Sequence, residues 1–332
     1  MNKLLKITLN SLIFILIAGF GYYMIYSIQS EKKTIQPNRE NEENMFISPY
    51  KKINSFDAVS DILCFEVGVF QNWILVVLAD RISFFEHSGK HLYDFQIEEG
   101  VRDVAVYDLM IYLLYPTKIV PYALKGCRGK EWEACSNNSD YCAITASKEY
   151  IFVTDAENKH IVQYDKQGKL VRFIKSREGF VIPSYSFDII NVNDTIYCSN
   201  SGRHKVESYT VNGKFIASFG KAGTQVGAFS GCCNPVYLAK NTDETILTSE
   251  KGNPRISCYE KNGDFREILF DNKILGDETN AYKVRIFDEN IYIASGKTIS
   301  VYGKDAANYV VTACPTNVKS CAECPMRDRC KK

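Results

Sequence analysis

Most of the chain is written in short apolar runs set off by polar turn formers. Trp73 to Leu78, Met110 to Tyr115, Tyr150 to Thr154, Ile196 to Cys198, Ile246 to Thr248 and Ile291 to Ala294 are the strongest of these runs. Each is too short for a stable helix and is followed within two residues by Asp, Pro or Ser, so each predicts a β-strand. Phe219 to Phe265 shows the pattern at its fullest. The runs Val236 to Leu238, Ile246 to Thr248 and Ile256 to Tyr259 are separated by Asn241-Thr242-Asp243 and by Glu250 to Asn253, and the stretch closes at Lys261-Asn262-Gly263. That is a meander of about four strands, too small to stand alone.

The N-terminus breaks the pattern. Leu4 to Ile28 is apolar except for Lys6, Thr8, Asn10, Ser11 and Ser27. A helix over Ile7 to Ile28 spans roughly 33 Å, enough to cross a bilayer. Residues 1–29 therefore predict a single transmembrane anchor. The alternative is a signal peptide cut near Gly19 or Gly21, but the apolar run continues through Tyr22 to Tyr26. With Lys3 and Lys6 before the run, the default orientation keeps the short N-terminus inside. The expected location is the inner (cytoplasmic) membrane, single-pass, with the remainder on the extracytoplasmic, periplasmic side. Residues 30–53 are charged and aperiodic and predict a polar tether.

From residue 54 to 312 the strands repeat. An aromatic residue stands four positions before a turn glycine in Phe85/Gly89, Tyr122/Gly126, Tyr164/Gly168, Tyr209/Gly213 and Tyr259/Gly263. Tyr302 fits a sixth position, where Ala306 replaces the glycine. The aromatics recur 37 to 50 residues apart, the length of a four-stranded blade. Six such units predict an all-β, six-bladed β-propeller. A blade buries its two faces only against its neighbours, so the aromatics are read as packing between blades. The glycine supplies the positive φ of a tight turn.

The third to fifth units resemble NHL repeats. VTDAENKHIVQYDKQGKLV carries Asp155, Asn158, Tyr164 and Gly168 at the family's aspartate, asparagine, aromatic and glycine positions. CSNSGRHKVESYTVNGKFI has Asn200 and Arg203 in place of the pair, and TSEKGNPRISCYEKNGDF keeps Asn253 but has Glu250 for the aspartate. The connector FGKAGTQVGAF also fits the family. The likeness covers about 250 residues, strongly in the middle units and weakly at the ends. It implies a bacterial, membrane-anchored propeller of the NHL or TolB-like kind. Such propellers serve mostly as binding platforms, and a minority are lactonases, lyases or sensor domains.

Charge and cysteine content narrow the chemistry. The net charge is +1 with no long basic block, which argues against a nucleic-acid partner. The twelve cysteines point to an oxidising compartment, a metal site, or both. In the tail, residues 313–332, Cys314, Cys321, Cys324 and Cys330 are spaced C-x6-C-x2-C-x5-C. Four thiolates at that spacing can hold zinc or an iron–sulfur cluster, and in an exported domain they can equally form two disulfides. Gly231-Cys232-Cys233-Asn234 interrupts a connector and is a candidate binding loop at one rim. Adjacent cysteines rarely bond to each other, because the ring strains the peptide, so the alternative is that each pairs elsewhere or packs as a small hydrophobe. Cys127 and Cys135 are a candidate disulfide beside an exposed-looking Trp132. Cys64, Cys198 and Cys258 fall in strand runs and are expected to be buried. His160 and His204 occupy adjacent positions before the same strand of two units and are read as polar loop residues.

No nucleophile elbow, phosphate loop or HExxH motif is present. Asp103, Asp188 and Glu250 are the carboxylates that a cation-dependent propeller hydrolase or lyase would use, if they met in the channel. The reading that follows is a membrane-anchored, extracytoplasmic binding or scaffold module for a protein or an envelope component. A redox or metal protein with its cofactor on the tail is the first alternative, and the propeller hydrolase or lyase the second.

Overall fold

In a computed structural model the chain is described over residues 46–276 and 280–305. The proposed anchor, most of the tether and the four tail cysteines lie outside those residues. No described helix is long and apolar enough to cross a membrane.

The described strands form six four-stranded antiparallel sheets. Strand β1 (Tyr50–Asp57) comes first and is set aside for the last sheet. The first blade is β2 (Cys64–Val69), β3 (Trp73–Val77), β4 (Arg81–Phe85) and β5 (His91–Gln96). The second is β6 (Asp103–Tyr107), β7 (Met110–Tyr115), β8 (Lys118–Ala123) and β9 (Trp132–Glu133). The third is β10 (Tyr141–Ala146), β11 (Tyr150–Asp155), β12 (His160–Asp165) and β13 (Leu170–Ile174). The fourth is β14 (Ile189–Val192), β15 (Thr195–Asn200), β16 (Lys205–Thr210) and β17 (Phe215–Phe219). The fifth is β18 (Tyr237–Lys240), β19 (Ile246–Glu250), β20 (Arg255–Tyr259) and β21 (Phe265–Phe270). The sixth runs β22 (Lys283–Phe287), β23 (Asn290–Ser295), β24 (Thr298–Lys304) and then β1. The fold is thus a six-bladed β-propeller.

The ring is closed by β1, which pairs antiparallel with β24 from Tyr50↔Lys304 to Asp57↔Thr298. This strand begins inside the stretch that reads as tether. Its hydropathy hides it, because an outermost strand buries only alternate residues against the next blade: Phe56 is partly buried while Lys51, Lys52 and Ile53 face outward.

Six clusters of buried apolar side chains occupy the six seams between blades. The repeating aromatic is central to each. Phe85, Tyr122, Tyr164, Tyr209, Tyr259 and Tyr302 are all buried. Each meets a residue on the outer strand of the preceding blade. The ring centroids are 5.2 Å apart for Phe56 and Phe85, 5.7 Å for Phe95 and Tyr122, and 6.0 Å for Trp132 and Tyr164. They are 5.2 Å apart for Phe219 and Tyr259 and 4.9 Å for Phe270 and Tyr302. Ile174 takes this place against Tyr209 in the seam between the third and fourth blades. Trp132, which reads as exposed, is therefore a buried seam residue. It stands ten residues after Tyr122, as Phe95 stands after Phe85 and Phe219 after Tyr209, and that spacing is the signal that identifies it.

The turn glycine serves the same seam. At Gly263 φ is +92°, and an added Cβ would lie 2.2 Å from Phe219 Cβ. At Gly168 φ is +83°, and it would lie 2.4 Å from the Trp132 ring. The glycine thus permits the turn and also leaves room for the neighbouring blade's side chain.

Candidate functional site: the connector face and the channel mouth

In this topology the connectors between blades and the turns between second and third strands lie at one end of the ring. The turns that carry the repeating glycines lie at the other. The first end gathers almost every candidate the sequence singles out, and most of them fasten loops. Asp155 accepts from the backbone N–H groups of Asp140 (3.2 Å) and Asn158 (3.1 Å) and from Asn158 Nδ2 (2.9 Å). It thereby ties a turn to the connector before it. Asn200 does the same in the fourth blade, accepting from Val181 N at 2.9 Å and donating to Glu207 at 2.7 Å. In the fifth, Glu250 is fully buried and chelated by Arg255 at 2.6 and 2.9 Å, and Arg255 donates onward to the Ala228 carbonyl. Burial pushes the Glu250 carboxyl up from its ordinary range, against the pull of Arg255. Glu250 is thus a connector clamp, away from the channel.

Asn234 is likewise structural. Its amide donates to Ser230 O (2.7 Å) and Lys251 O (3.0 Å) and accepts from Lys251 N (3.0 Å). His204 Nε2 donates to the Gly231 carbonyl at 2.5 Å, so two sequence candidates meet at one loop. His160 stays with its own blade, packed on Phe173 with its ring centroid 4.5 Å away and Nε2 3.8 Å from Asp155. Burial holds the His160 ring below its ordinary value. Cys127 and Cys135 are free thiols, not a disulfide, and Cys135 Sγ instead contacts the Tyr164 hydroxyl at 3.0 Å. Cys64, Cys198 and Cys258 are buried free thiols.

The channel is where Asp103 and Asp188 come together, because the first strands of all six blades converge there. Asp103 Oδ1 is 2.9 Å from Lys283 Nζ, and its Oδ2 accepts from Ile144 N at 3.0 Å. Asp188 Oδ2 accepts from Leu238 N at 2.6 Å. Arg285 Nε donates to Glu66 at 2.7 Å. Each of the two aspartates therefore also bonds to the backbone of the next blade. Lys283 and Arg285, missed in the sequence, are two residues apart on one strand and so point the same way into the channel. An apolar strand with charges at alternate positions was the available signal. Burial pulls the Lys283 ammonium down, but Asp103 and the other channel groups hold it above its ordinary value. Burial, and then the charge of Asp103, push the Asp188 carboxyl from 3.8 to about 6.

A pocket of about 120 Å³ opens at this mouth, lined by Asp103, Ser184, Tyr185, Asp188, Tyr237 and Lys283 among others. Among the described residues no group of three or more His, Cys, Asp or Glu is arranged to hold a metal ion. Of the carboxylates that do converge, Asp103 is engaged by Lys283, and the nearby Glu66 by Arg285.

The raised Asp188 pKa has a measurable consequence. Its contribution to stability is fully present below 3.8 and lost as the pH rises through about 6. Asp188→Asn is therefore expected to be more stable than the parent by about 1–3 kcal/mol well above that range, with the difference vanishing on acidification. Urea unfolding across the pH range measures this. A variant less stable than the parent at alkaline pH overturns it.

No protein-family model and no curated protein matches the chain. Solved structures do. A streptogramin B lyase structure aligns with a TM-score of 0.56 at 15% identity, covering 77% of this chain and 98% of the other. A virginiamycin B lyase from Staphylococcus aureus aligns at 0.55 and 15%, covering 76% and 99%. The Neurospora crassa Pan2 WD40 domain aligns at 0.51 and 9%, covering 78% and 97%. At these identities the likeness is one of fold alone, and the class it defines is the β-propeller.

Proposed function

We propose that this propeller is a binding module that takes a protein partner on its connector face. The carrying observation is the distribution of exposed apolar side chains. Val59, Leu63, Val181, Tyr185, Val226 and Ile274 all lie on connectors at this end, with Tyr185 lining the channel-mouth pocket. At the other end Leu109 is the exposed large apolar residue on a described turn, and Tyr107 and Leu170 are exposed at the strand ends beside such turns. Exposed apolar side chains gathered on one face are what a protein partner covers. The NHL-like middle blades belong to this reading, as does an anchor over Ile7 to Ile28 that holds the propeller outside the cytoplasm. An envelope component is the other occupant that such a placement would offer.

Photo-crosslinking residues placed at Tyr185 and Val226 are expected to trap one partner in the cells that make the protein, and one at Leu109 is not. With that partner purified, Tyr185→Asp or Val226→Asp is expected to weaken binding about tenfold or more, and Leu109→Asp to leave it unchanged. Equal trapping from the two ends, or a partner indifferent to Tyr185 and Val226, overturns the reading. Protease protection in intact cells tests the proposed orientation separately.

A further inference from the structure

The loop Ser230–Asn234 is held from several sides by His204, by Asn234 and by the backbone of Lys251. The paired Asn234–Lys251 bonds join Lys251 and the two cysteines into one unit. In that unit Cys232 Sγ and Cys233 Sγ are 3.4 Å apart, Cys232 exposed and Cys233 only 3% exposed. Cys127 and Cys135 are also exposed but have no adjacent thiol in the sequence.

We propose that Cys232 and Cys233 are a thiol–disulfide exchange site, with Cys232 as the thiol that meets a disulfide-bonded substrate and Cys233 as the thiol that resolves the product. This chemistry stands independently of the partner proposed above. The two sulfurs have unequal settings. Burial pushes the Cys233 thiol up, but the Lys251 ammonium and hydrogen bonds from Cys232 and Ser184 outweigh it, so Cys233 lies below its ordinary value. The hydrogen bond with Cys233, and then its charge, raise Cys232.

In the first step Cys232 loses its proton to solvent as its sulfur attacks the substrate. A Cys232–substrate disulfide forms, the substrate's own S–S bond breaks, and one thiolate leaves and is protonated by solvent. In the second, Cys233 loses its proton to solvent, with Lys251 stabilising the thiolate. It attacks the Cys232 sulfur, the Cys232–substrate bond breaks and the second thiolate leaves. The dithiol is oxidised to a Cys232–Cys233 disulfide and the substrate is reduced to two thiols. A ring made by adjacent cysteines is strained and so is readily reopened by an external thiol, which makes the site reversible. Ser184, which contacts Cys233, also lines the channel-mouth pocket, so exchange occurs at the edge of that pocket.

The test uses the full chain, reduced and then exposed to glutathione disulfide, with residue-resolved mass spectrometry over time. In the parent, the peptide bearing Cys232 and Cys233 is expected to lose two hydrogens and to hold no lasting adduct. Cys233→Ser is expected to accumulate a glutathione adduct on Cys232, and Cys232→Ser to give neither product at this loop. Lys251→Met is expected to slow closure on the order of tenfold, so that the adduct becomes visible before the ring forms. A lasting adduct on Cys232 in the parent, or Cys232 reacting no faster than Cys127 in the same sample, overturns the proposal.

Discussion

Lys283→Met is expected to cost the propeller about 3–5 kcal/mol at neutral pH. Lys283 leaves the first strand of the sixth blade and meets Asp103 of the second, so one ion pair joins blades that are not neighbours in the ring. Asp103 is 3% exposed. Methionine fills the volume but leaves that carboxylate buried without its cation, and an uncompensated buried charge is what makes such losses large. The control is Lys283→Met with Asp103→Leu, which removes both charges and is expected to recover most of the loss. Urea unfolding of the three proteins at one pH checks it. A single variant as stable as the parent would mean that the pair contributes nothing to closing the ring.

Tyr259→Ala is expected to lose a similar amount, about 3–5 kcal/mol, by a different route. Tyr259 is buried with three aromatic neighbours, its ring centroid 5.2 Å from Phe219, 5.7 Å from Phe229 and 5.5 Å from Phe265. Phe219 belongs to the fourth blade, Phe229 to the connector and Phe265 to the fifth blade itself. Truncation opens a cavity where all three meet, and a seam between rigid sheets cannot collapse to fill it. Tyr259→Leu, which keeps more of the volume, is expected to cost less. Thermal unfolding of both variants decides the matter, and equal losses would argue against a cavity as the cause.

These two sites differ in how far they could be read in advance. Tyr259 is visible as one of six aromatics ahead of a turn, because that arrangement is local: strand, turn and packing residue lie within one repeat. Its partner Phe219 is visible too, once the ten-residue spacing is noticed. Lys283 is not. Nothing near it in the chain announces Asp103, since their meeting depends on a closed ring. For the same reason Asp103 and Asp188 could be named as carboxylates but not brought together, and Glu250 could be taken for a third until its buried pairing with Arg255 is seen. The closing strand β1 also escaped, because an edge strand with one buried face carries too few apolar positions to stand out from a polar tether.

The candidate site divides along the same line. Gly231-Cys232-Cys233-Asn234 stands out in the sequence because it interrupts a connector of otherwise ordinary composition. That Asn234 ties the loop down, that His204 reaches it and that Lys251 lies beside Cys233 come from residues distant in the chain meeting at one rim.

By itself, then, the sequence determined an all-β ring of six blades and the aromatic residues of its seams, because alternation, turn glycines and repeat length are properties of neighbouring residues. Only the tertiary structure decided which charges pair across the channel, which candidate residues merely fasten loops, and which two thiols share a setting fit for exchange. Each of those depends on the blades closing on one another, and closure is a property of the whole ring.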